Sequence, residues 1–329
     1  MSLPSPFRVL TSYGSSSFPS IFPFSQRDLV PHDNAPAAEF YTYSRLVNHI
    51  DDHAIKHLQS FYGAVLPSNA VIEGQQRMIK IAKILDICSS WVSHIPHTTD
   101  PWSTMLRNHV VGIGMNAKEL AANGILSHWL VHDLDQQPDF RPALKNAVKG
   151  EAYPAAQRLV SMTDSAEEPT AEGPFDGVIC NVSIDYLSRP LEVMEVVARN
   201  LKPGAWAYMA ISNRCFPSKV IRPWLNLSTE DRLHLVASYF HFAGTAYNPT
   251  DQKGTKIVAA ALKKLRETSN DIPVDKGSMA KSQLAGSSHA DSSLTPGQLF
   301  EDIQAIVLVE EDSPEGWDPL WIVCGRKKD

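Results

Sequence analysis

Apolar residues recur along this chain in two alternating rhythms, one short and strand-like, the other helical. Ile50, Ala54, Leu58, Phe61/Tyr62 and Val65 return at the spacing of one helix face, and Pro67 ends the run. Asp51 or Asp52 is a natural N-cap for it, because a short carboxylate accepts from the unpaired amides of a first turn. Lys83–Cys88, His109–Ile113, Trp129–Asp133, Phe175–Cys180 and Trp206–Ile211 read as strands, with a helix from about Ala117 to Asn123 between the second and third. Leu191, Met194, Val197/Ala198 and Leu201 mark another helix, started by Pro190 and stopped by Lys202-Pro203-Gly204. Ser228-x-x-Asp231 signals the start of a last helix, which runs through Phe242 to Gly244. Lys256–Ala260 and Leu320–Cys324 are candidates to close the sheet. Such alternation predicts an α/β fold with a mostly parallel central sheet and helices on both faces. Its ligand site is expected beyond the carboxyl ends of the strands, where strand order reverses.

Three stretches lack either rhythm. Residues 1–36, rich in Ser, Pro and Phe, read as a flexible N-terminal tail. Polar insertions are expected at about 136–174, which contains Asp164-Ser-Ala-Glu-Glu-Pro169, and at about 267–297. Segments so poor in aliphatic residues bury too little surface to offset the entropy of ordering them. Residues 37–329 then form a single domain carrying two insertions.

Composition narrows the function. The chain has 329 residues, of which 43% are hydrophobic and 20% charged, enough for a large core. Thirty Lys and Arg against 36 Asp and Glu give a net charge of -6. That balance disfavours a nucleic-acid partner, whose phosphates need clustered cations. No apolar run approaches the roughly 18 residues of a membrane span, and nothing at the start resembles a secretory signal, so a cytoplasmic protein is expected. Cys88, Cys180, Cys215 and Cys324 are widely spaced without a C-x-x-C pair and are expected as reduced, buried thiols.

Two motifs invite chemistry on their own. Gly112-Ile-Gly114-Met-Asn-Ala117 fits G-x-G-x-x-[GA], and Asp133 ends the next strand, as in a dinucleotide-binding unit. An NAD(P)-dependent oxidoreductase is thus one reading, although another strand precedes this unit and no Tyr-x-x-x-Lys pair is present. His49, His53 and His57 stand at i, i+4 spacing, and His94 and His97 flank Pro96. Capping by Asp51 or Asp52 would leave His49 off the helix face, and surface histidines explain the other two, so no metal is expected. Trp91 is expected to anchor the core.

Taken together, several segments resemble the class I S-adenosylmethionine-dependent methyltransferases, in particular the type 11, UbiE-like group. They are Asp86-Ile-Cys-Ser-Ser-Trp91-Val-Ser-His94-Ile-Pro96, Gly112-x-Gly-Met-Asn116-x-x-Glu119-Leu and Phe175-Asp-Gly-Val-Ile-Cys-Asn181 with Tyr186-Leu-x-Arg-Pro190. Leu201-Lys-Pro-Gly204, Ser212-Asn-Arg214-x-Phe-Pro217, Asp318–Arg326, and Phe40-Tyr41 with Arg45 and His49-Ile-Asp51-Asp52 complete the series. The likeness covers about half the chain, and its specificity lies in the order and spacing of the pieces.

The resemblance implies a Rossmann-like fold and S-adenosyl-L-methionine as cofactor. Asp86, Ser89 and Ser90 would lie under its methionine part, Asn116 near the ribose, Asp133 and Leu134 at the adenine, and Asn181 facing the methionyl amine. Cys88, Ser89 and Ser90 stand where the wider superfamily has glycines, and Asn116 stands where it usually has an acid. Candidate bases are His49, His94 and Asp185, and candidate substrate-pocket residues are Tyr41, Tyr186, Asn213 and Arg214. Positioning donor and acceptor supplies about 7–11 kcal/mol. A base supplies about 3–5 kcal/mol, so the motifs locate the cofactor better than the acceptor. The expected activity is methyl transfer to a small molecule, in specialised metabolism. A non-catalytic binding or scaffold protein on the same fold is the alternative suggested by the glycine-free loop. The oligomeric state is left open.

Overall fold

The computed structural model describes residues 7–33, 35–67, 70–72, 78–80, 82–96, 109–154, 157, 170–248 and 294–329. In chain order the strands are β1 (Arg8–Tyr13), β2 (Ala70–Ile72), β3 (Met78–Lys80), β4 (Lys83–Ser89), β5 (His109–Gly114), β6 (Leu126–Val131), β7 (Val148–Lys149), β8 (Phe175–Asn181), β9 (Leu201–Ser212), β10 (Phe300–Val309) and β11 (Leu320–Lys327). The helices are α1 (Ala37–Phe40), α2 (Asp52–Val65), α3 (Ala117–Ala122), α4 (Pro190–Asn200) and α5 (Thr229–His241). Nine strands form one sheet in the order β1-β10-β11-β9-β8-β4-β5-β6-β7, and β2 pairs with β3 apart from it.

Parallel pairing runs unbroken from β9 through β8, β4 and β5 to β6. The pairs outside this block, β1–β10, β10–β11, β11–β9 and β6–β7, are antiparallel. The sheet is therefore mixed, and the expected parallel character holds for its central five strands only. Successive strands add outward from β4 to β6, then the chain returns to β8 on the other side of β4. That reversal puts the crevice at the carboxyl ends of β4 and β8, where an open α/β sheet binds ligands.

Alternation along the central strands sorts side chains between two cores, as the period of two requires. Leu85, Ile87, Val111, Ile113, Val178 and Met209 face α4 and α5, whereas Ile84, Val110, Ile179, Tyr208 and Ala210 face α2 and α3. The caps fall where expected. Asp51 accepts from the Ala54 amide at 2.8 Å, and Ser228 Oγ accepts from the Asp231 amide at 3.2 Å. α4 ends at Asn200, before the expected stop, and β9 begins at once. Gly204, at φ 74°, serves as a left-handed position inside that strand's first half.

The reading of residues 1–36 as a flexible tail is corrected. β1 forms the outer edge of the sheet, in register from Arg8↔Val307 to Tyr13↔Ile303. Phe22, Phe24 and Leu29 are fully buried and Phe18 nearly so. Phe22 packs against Tyr239, Phe242 and Tyr247, and Phe18 stacks on His241 with ring centroids 4.3 Å apart. The aromatic residues of a Ser/Pro-rich segment supply the core here, which aliphatic counting overlooks. The insertion expected at 136–174 is likewise partly core: Phe140, just before a 3-10 turn (Arg141–Asn146), and Leu144 within it are buried. Lys256–Ala260, His97 and nearly all of 267–297 lie outside the described residues.

β10 was not anticipated from the sequence, because Glu301, Asp302 and Gln304 interrupt its apolar pattern and Asp302 takes φ 51°. Cys180 and Cys324 are buried free thiols, as expected, while Cys88 and Cys215 are only half-buried. No helix among the described residues is long and apolar enough to cross a membrane.

Candidate active site

The crevice begins where β4 ends. Asp86 is buried beneath it and accepts from Ser89 Oγ at 2.6 Å. Burial pushes the Asp86 carboxyl up to about 7, against the lowering effect of hydrogen bonds from Ser89 and Ser93. The chain then turns through Cys88 at φ 54° and His94 at φ 56°, left-handed positions that cost a non-glycine residue about 1–2 kcal/mol each. A loop without glycine thus adopts glycine-like conformations.

The glycines sit one strand over. A Cβ on Gly114 would lie 2.0 Å from the Ser89 carbonyl oxygen, and one on Gly112 would lie 2.6 Å from Leu126 Cδ1. Their spacing is explained by close packing of β5 against the β4 turn and β6. Moreover, β5 is not one of the two strands flanking the reversal, which is where a dinucleotide-binding glycine turn belongs.

Asn116 lines the crevice after β5, but its side chain is engaged. Its Oδ1 accepts from the Lys118 and Glu119 amides at 2.9 and 3.1 Å, capping α3, and from Ser44 Oγ at 3.2 Å. Its Nδ2 donates to the Tyr41 carbonyl at 2.7 Å. The carboxylate of this region is Glu119, buried in the first turn of α3, which accepts from the Arg45 amide at 2.7 Å and from Ser90 Oγ at 2.6 Å. After β6, Asp133 Oδ1 accepts from the Asp135 and Gln136 amides at 2.9 and 3.1 Å, and Leu134 is buried beside it. Burial raises Asp135 to about 6, hydrogen bonds from Ser188 lower it and nearby Asp133 raises it further. After β8, Asn181 accepts from the Tyr62 hydroxyl at 2.7 Å and donates to the Ser93 carbonyl at 3.1 Å.

Residues 30–33 and 35–49 roof these strand ends. The Arg222 amide donates to the Val30 carbonyl at 3.3 Å and the Asp33 amide to the Ser218 carbonyl at 3.0 Å. Buried Lys219 reaches Asp33 Oδ2 at 2.8 Å and donates to the Ala35 carbonyl at 3.1 Å, which holds Asp33 below the usual carboxylate range. Under this roof lies a cavity of about 540 Å³. A pocket of about 50 Å³ adjoins it, bounded by Asp86, His94 and Asn181, and the two share His49, Cys88, Ser89 and Ser90.

Most of the sequence-predicted residues converge. Tyr41, Ser89, Ser90, Asn116, Asp133, Leu134, Tyr186 and Arg214 line the larger cavity, and Asp86, His94 and Asn181 the smaller. Three candidates are corrected. Asp185 is buried outside both cavities, with its carboxyl raised by burial to about 7. Asn213 projects to solvent and lines neither. Trp91 is half-exposed and holds the roof by donating to the Val47 carbonyl at 3.1 Å, so it is no core anchor. His53 stacks on Trp317, away from either cavity.

The two remaining histidines differ. His49 borders both cavities and stands edge-on to Phe216 at 5.3 Å. Burial lowers its pKa, Glu119 opposes the shift and Arg45 reinforces it. His94 is buried, its Nδ1 has no hydrogen-bond partner, and burial with nearby His49 lowers it to about 4. Sequence reasoning passed over Pro31–Pro36, Arg45, Asp135, Phe216 and Lys219 as site residues. The resemblance contained Arg45 and Phe216, but nothing local reports that the N-terminal segment folds over them.

The acceptor-rich floor, the orphaned His94 Nδ1 and the buried Asp86 suit a cationic, zwitterionic ligand carrying an amine and a ring amino group, as S-adenosylmethionine does. Residues 110–209 match the family model for a methyltransferase domain. No curated protein sequence matches the chain. Among solved structures, a SAM-dependent methyltransferase from Archaeoglobus fulgidus aligns at 10% identity and TM-score 0.30, covering 75% of this chain and 86% of its own. One from Mesorhizobium loti aligns at 12% identity and TM-score 0.31, covering 80% and 95%. The plantazolicin methyltransferase BamL aligns at 10% identity and TM-score 0.34, covering 84% and 85%. The stretch from β5 to β9 that floors the cavity is thus similar to a methyltransferase domain, set in an open α/β sheet of Rossmann-like topology.

Proposed function

We propose that the protein transfers the methyl group of S-adenosylmethionine to a small-molecule acceptor in specialised metabolism. The observation that carries this reading is the roofed cavity of about 540 Å³ at the strand reversal, which suits a compact ligand better than a macromolecular surface. The net charge of -6 agrees, since a nucleic-acid acceptor calls for a basic face.

The cofactor supplies an already activated methyl group on a sulfonium. In this assignment Asp133 accepts from the adenine amine, Leu134 packs on the ring, and Asp86 and Asn181 face the methionyl amine. Asn116 acts through structure, by capping α3 and tying the roof to the floor. Glu119 is the acid available to the ribose hydroxyls. His49, at the junction of the cavities, is placed to take a proton from an acceptor hydroxyl or amine. Its lowered pKa keeps the ring neutral, and so able to accept, at pH 7.

Calorimetric titration with S-adenosylmethionine and S-adenosylhomocysteine is the direct test, and absence of binding by both would refute the reading. Asp133→Ala is expected to weaken both several-fold with little effect from Asn213→Ala; unchanged affinity in Asp133→Ala removes adenine from that site. Asp86 adds a pH dependence. Its folded pKa is raised, so its contribution to stability is complete below about pH 4 and is lost as pH rises through about 7. Below pH 7 the free protein holds a proton there that a cationic ligand must displace. Affinity should therefore increase from pH 6 to pH 8, by at most about tenfold per unit, and Asp86→Asn should flatten the profile. A flat wild-type profile would separate Asp86 from the ligand.

A further inference from the structure

We infer that Arg45 is the receptor for a carboxylate on the methyl acceptor, so that the substrate class is a planar organic acid. The inference rests on the methyltransferase reading and adds to it the chemistry of the acceptor. Three cations line the larger cavity, Arg45, Arg214 and Lys219, and two already hold an acid. Arg214 Nε pairs with Asp318 at 2.6 Å, and Lys219 pairs with Asp33 at 2.8 Å. Arg45 has no carboxylate within ion-pair distance among the described residues. One of its terminal nitrogens, Nη1, donates to the Phe40 and Tyr43 carbonyls at 3.1 and 3.4 Å, and Glu119 takes its backbone amide instead.

The guanidinium is nonetheless fixed in place. Its carbon lies 4.3 Å over the Phe40 ring centroid and 5.5 Å from that of Phe216. The two rings, their centroids 5.2 Å apart, flank the group from one side, and no hydrogen bond among the described residues engages Nε or Nη2. A half-buried cation with uncommitted donors is costly in an apolar surround, and a planar carboxylate matches its fork with two parallel hydrogen bonds. Phe216 extends the same wall, with His49 edge-on to it and Tyr186 tilted against it at 6.0 Å. An aromatic or conjugated acid could lie on this wall, its carboxylate on Arg45 and its nucleophile turned toward His49.

The cofactor's own carboxylate is the other source of such an anion. Arg45 borders only the larger cavity, whereas of the residues assigned to the methionine end Asp86 and Asn181 border only the smaller and Ser89 and Ser90 border both. Position therefore favours the acceptor.

The test compares 2-naphthoate with its neutral isostere 2-naphthamide, titrated against the full chain with and without S-adenosylhomocysteine. The wild-type protein should prefer the acid by about tenfold or more. Arg45→Met should erase that preference and Arg45→Lys should keep part of it, with S-adenosylhomocysteine affinity within about twofold in both. Equal binding of acid and amide by the wild type, a comparison that needs no variant to fold, overturns the inference, as does a preference surviving in Arg45→Met. If Arg45→Met weakens S-adenosylhomocysteine but not 5′-methylthioadenosine, which lacks the carboxylate, Arg45 belongs to the cofactor and the inference falls. Failure of the wild type to bind S-adenosylhomocysteine sinks the cofactor reading instead, and the acid preference measured without it still decides the anion site.

Discussion

Removal of residues 1–36 is expected to abolish folding. The deletion takes away β1, the buried Phe18, Phe22, Phe24 and Leu29, and the part of the cavity roof made by Val30, Pro31, Asp33, Ala35 and Pro36. Truncating one buried phenylalanine to alanine costs about 3–5 kcal/mol, and a whole domain is stable by about 5–15 kcal/mol. Three such rings and a leucine together exceed what the rest of the chain can spare. The partners left behind, Tyr239, Phe242 and Tyr247, would also lose their cover. Expression should give aggregated protein or a chain without a cooperative melt. Phe24→Ala alone should fold with a lower denaturant midpoint, equivalent to about 3–5 kcal/mol. A truncated chain that melts like the full one would show that the segment is dispensable after all.

Gly114→Ala should disrupt the cofactor site more than any loss of a single side chain. The added carbon would stand 2.0 Å from the Ser89 carbonyl oxygen, 3.0 Å from its carbon and 3.1 Å from Leu120 Cδ2. Two of those atoms are backbone, so the β4 turn itself must move. Ser89 and Ser90, carried on that turn, hold Asp86 and Glu119. Overpacking of this kind costs about 1–3 kcal/mol, and more where backbone must yield. Displacement of the turn should weaken S-adenosylhomocysteine binding by more than tenfold. Gly112→Ala makes a useful contrast, since its closest obstacle is the tip of the Leu126 side chain, which can rotate. Thermal melts and calorimetry on both variants check the ranking. Equal, mild effects would mean that the β4 turn does not shape the site.

Local rules made the central sheet legible. The short apolar run from Ile84 to Ile87 and the caps at Asp51 and Ser228 act within a few residues, so the sequence displays them directly. Asp86, Asp133, Leu134 and Asn181 came from the family resemblance, and each lies in or just after a strand of the central sheet. The rest depends on partners far along the chain. Nothing near Phe22 tells that Tyr239 and Tyr247 will enclose it, and nothing near Arg45 tells that Phe216 will meet it. Loop direction was equally hidden, since Asn213 turns outward while Phe216, three residues on, turns in. Asp185 was misjudged for a related reason, because a position next to the site does not determine which way the carboxyl faces.

The strand order has a consequence for biosynthesis. β1 is complete at Tyr13, but its strand partner among the described residues, β10, begins at Phe300. At about 5–20 residues per second, the intervening stretch of about 290 residues takes roughly 15–60 s to synthesise. During that interval β1 has no strand to pair with, whereas Phe22 gains Tyr239, Phe242 and Tyr247 before β10 is made. β1 is therefore the segment that must be kept from pairing with a neighbour until β10 has left the ribosome.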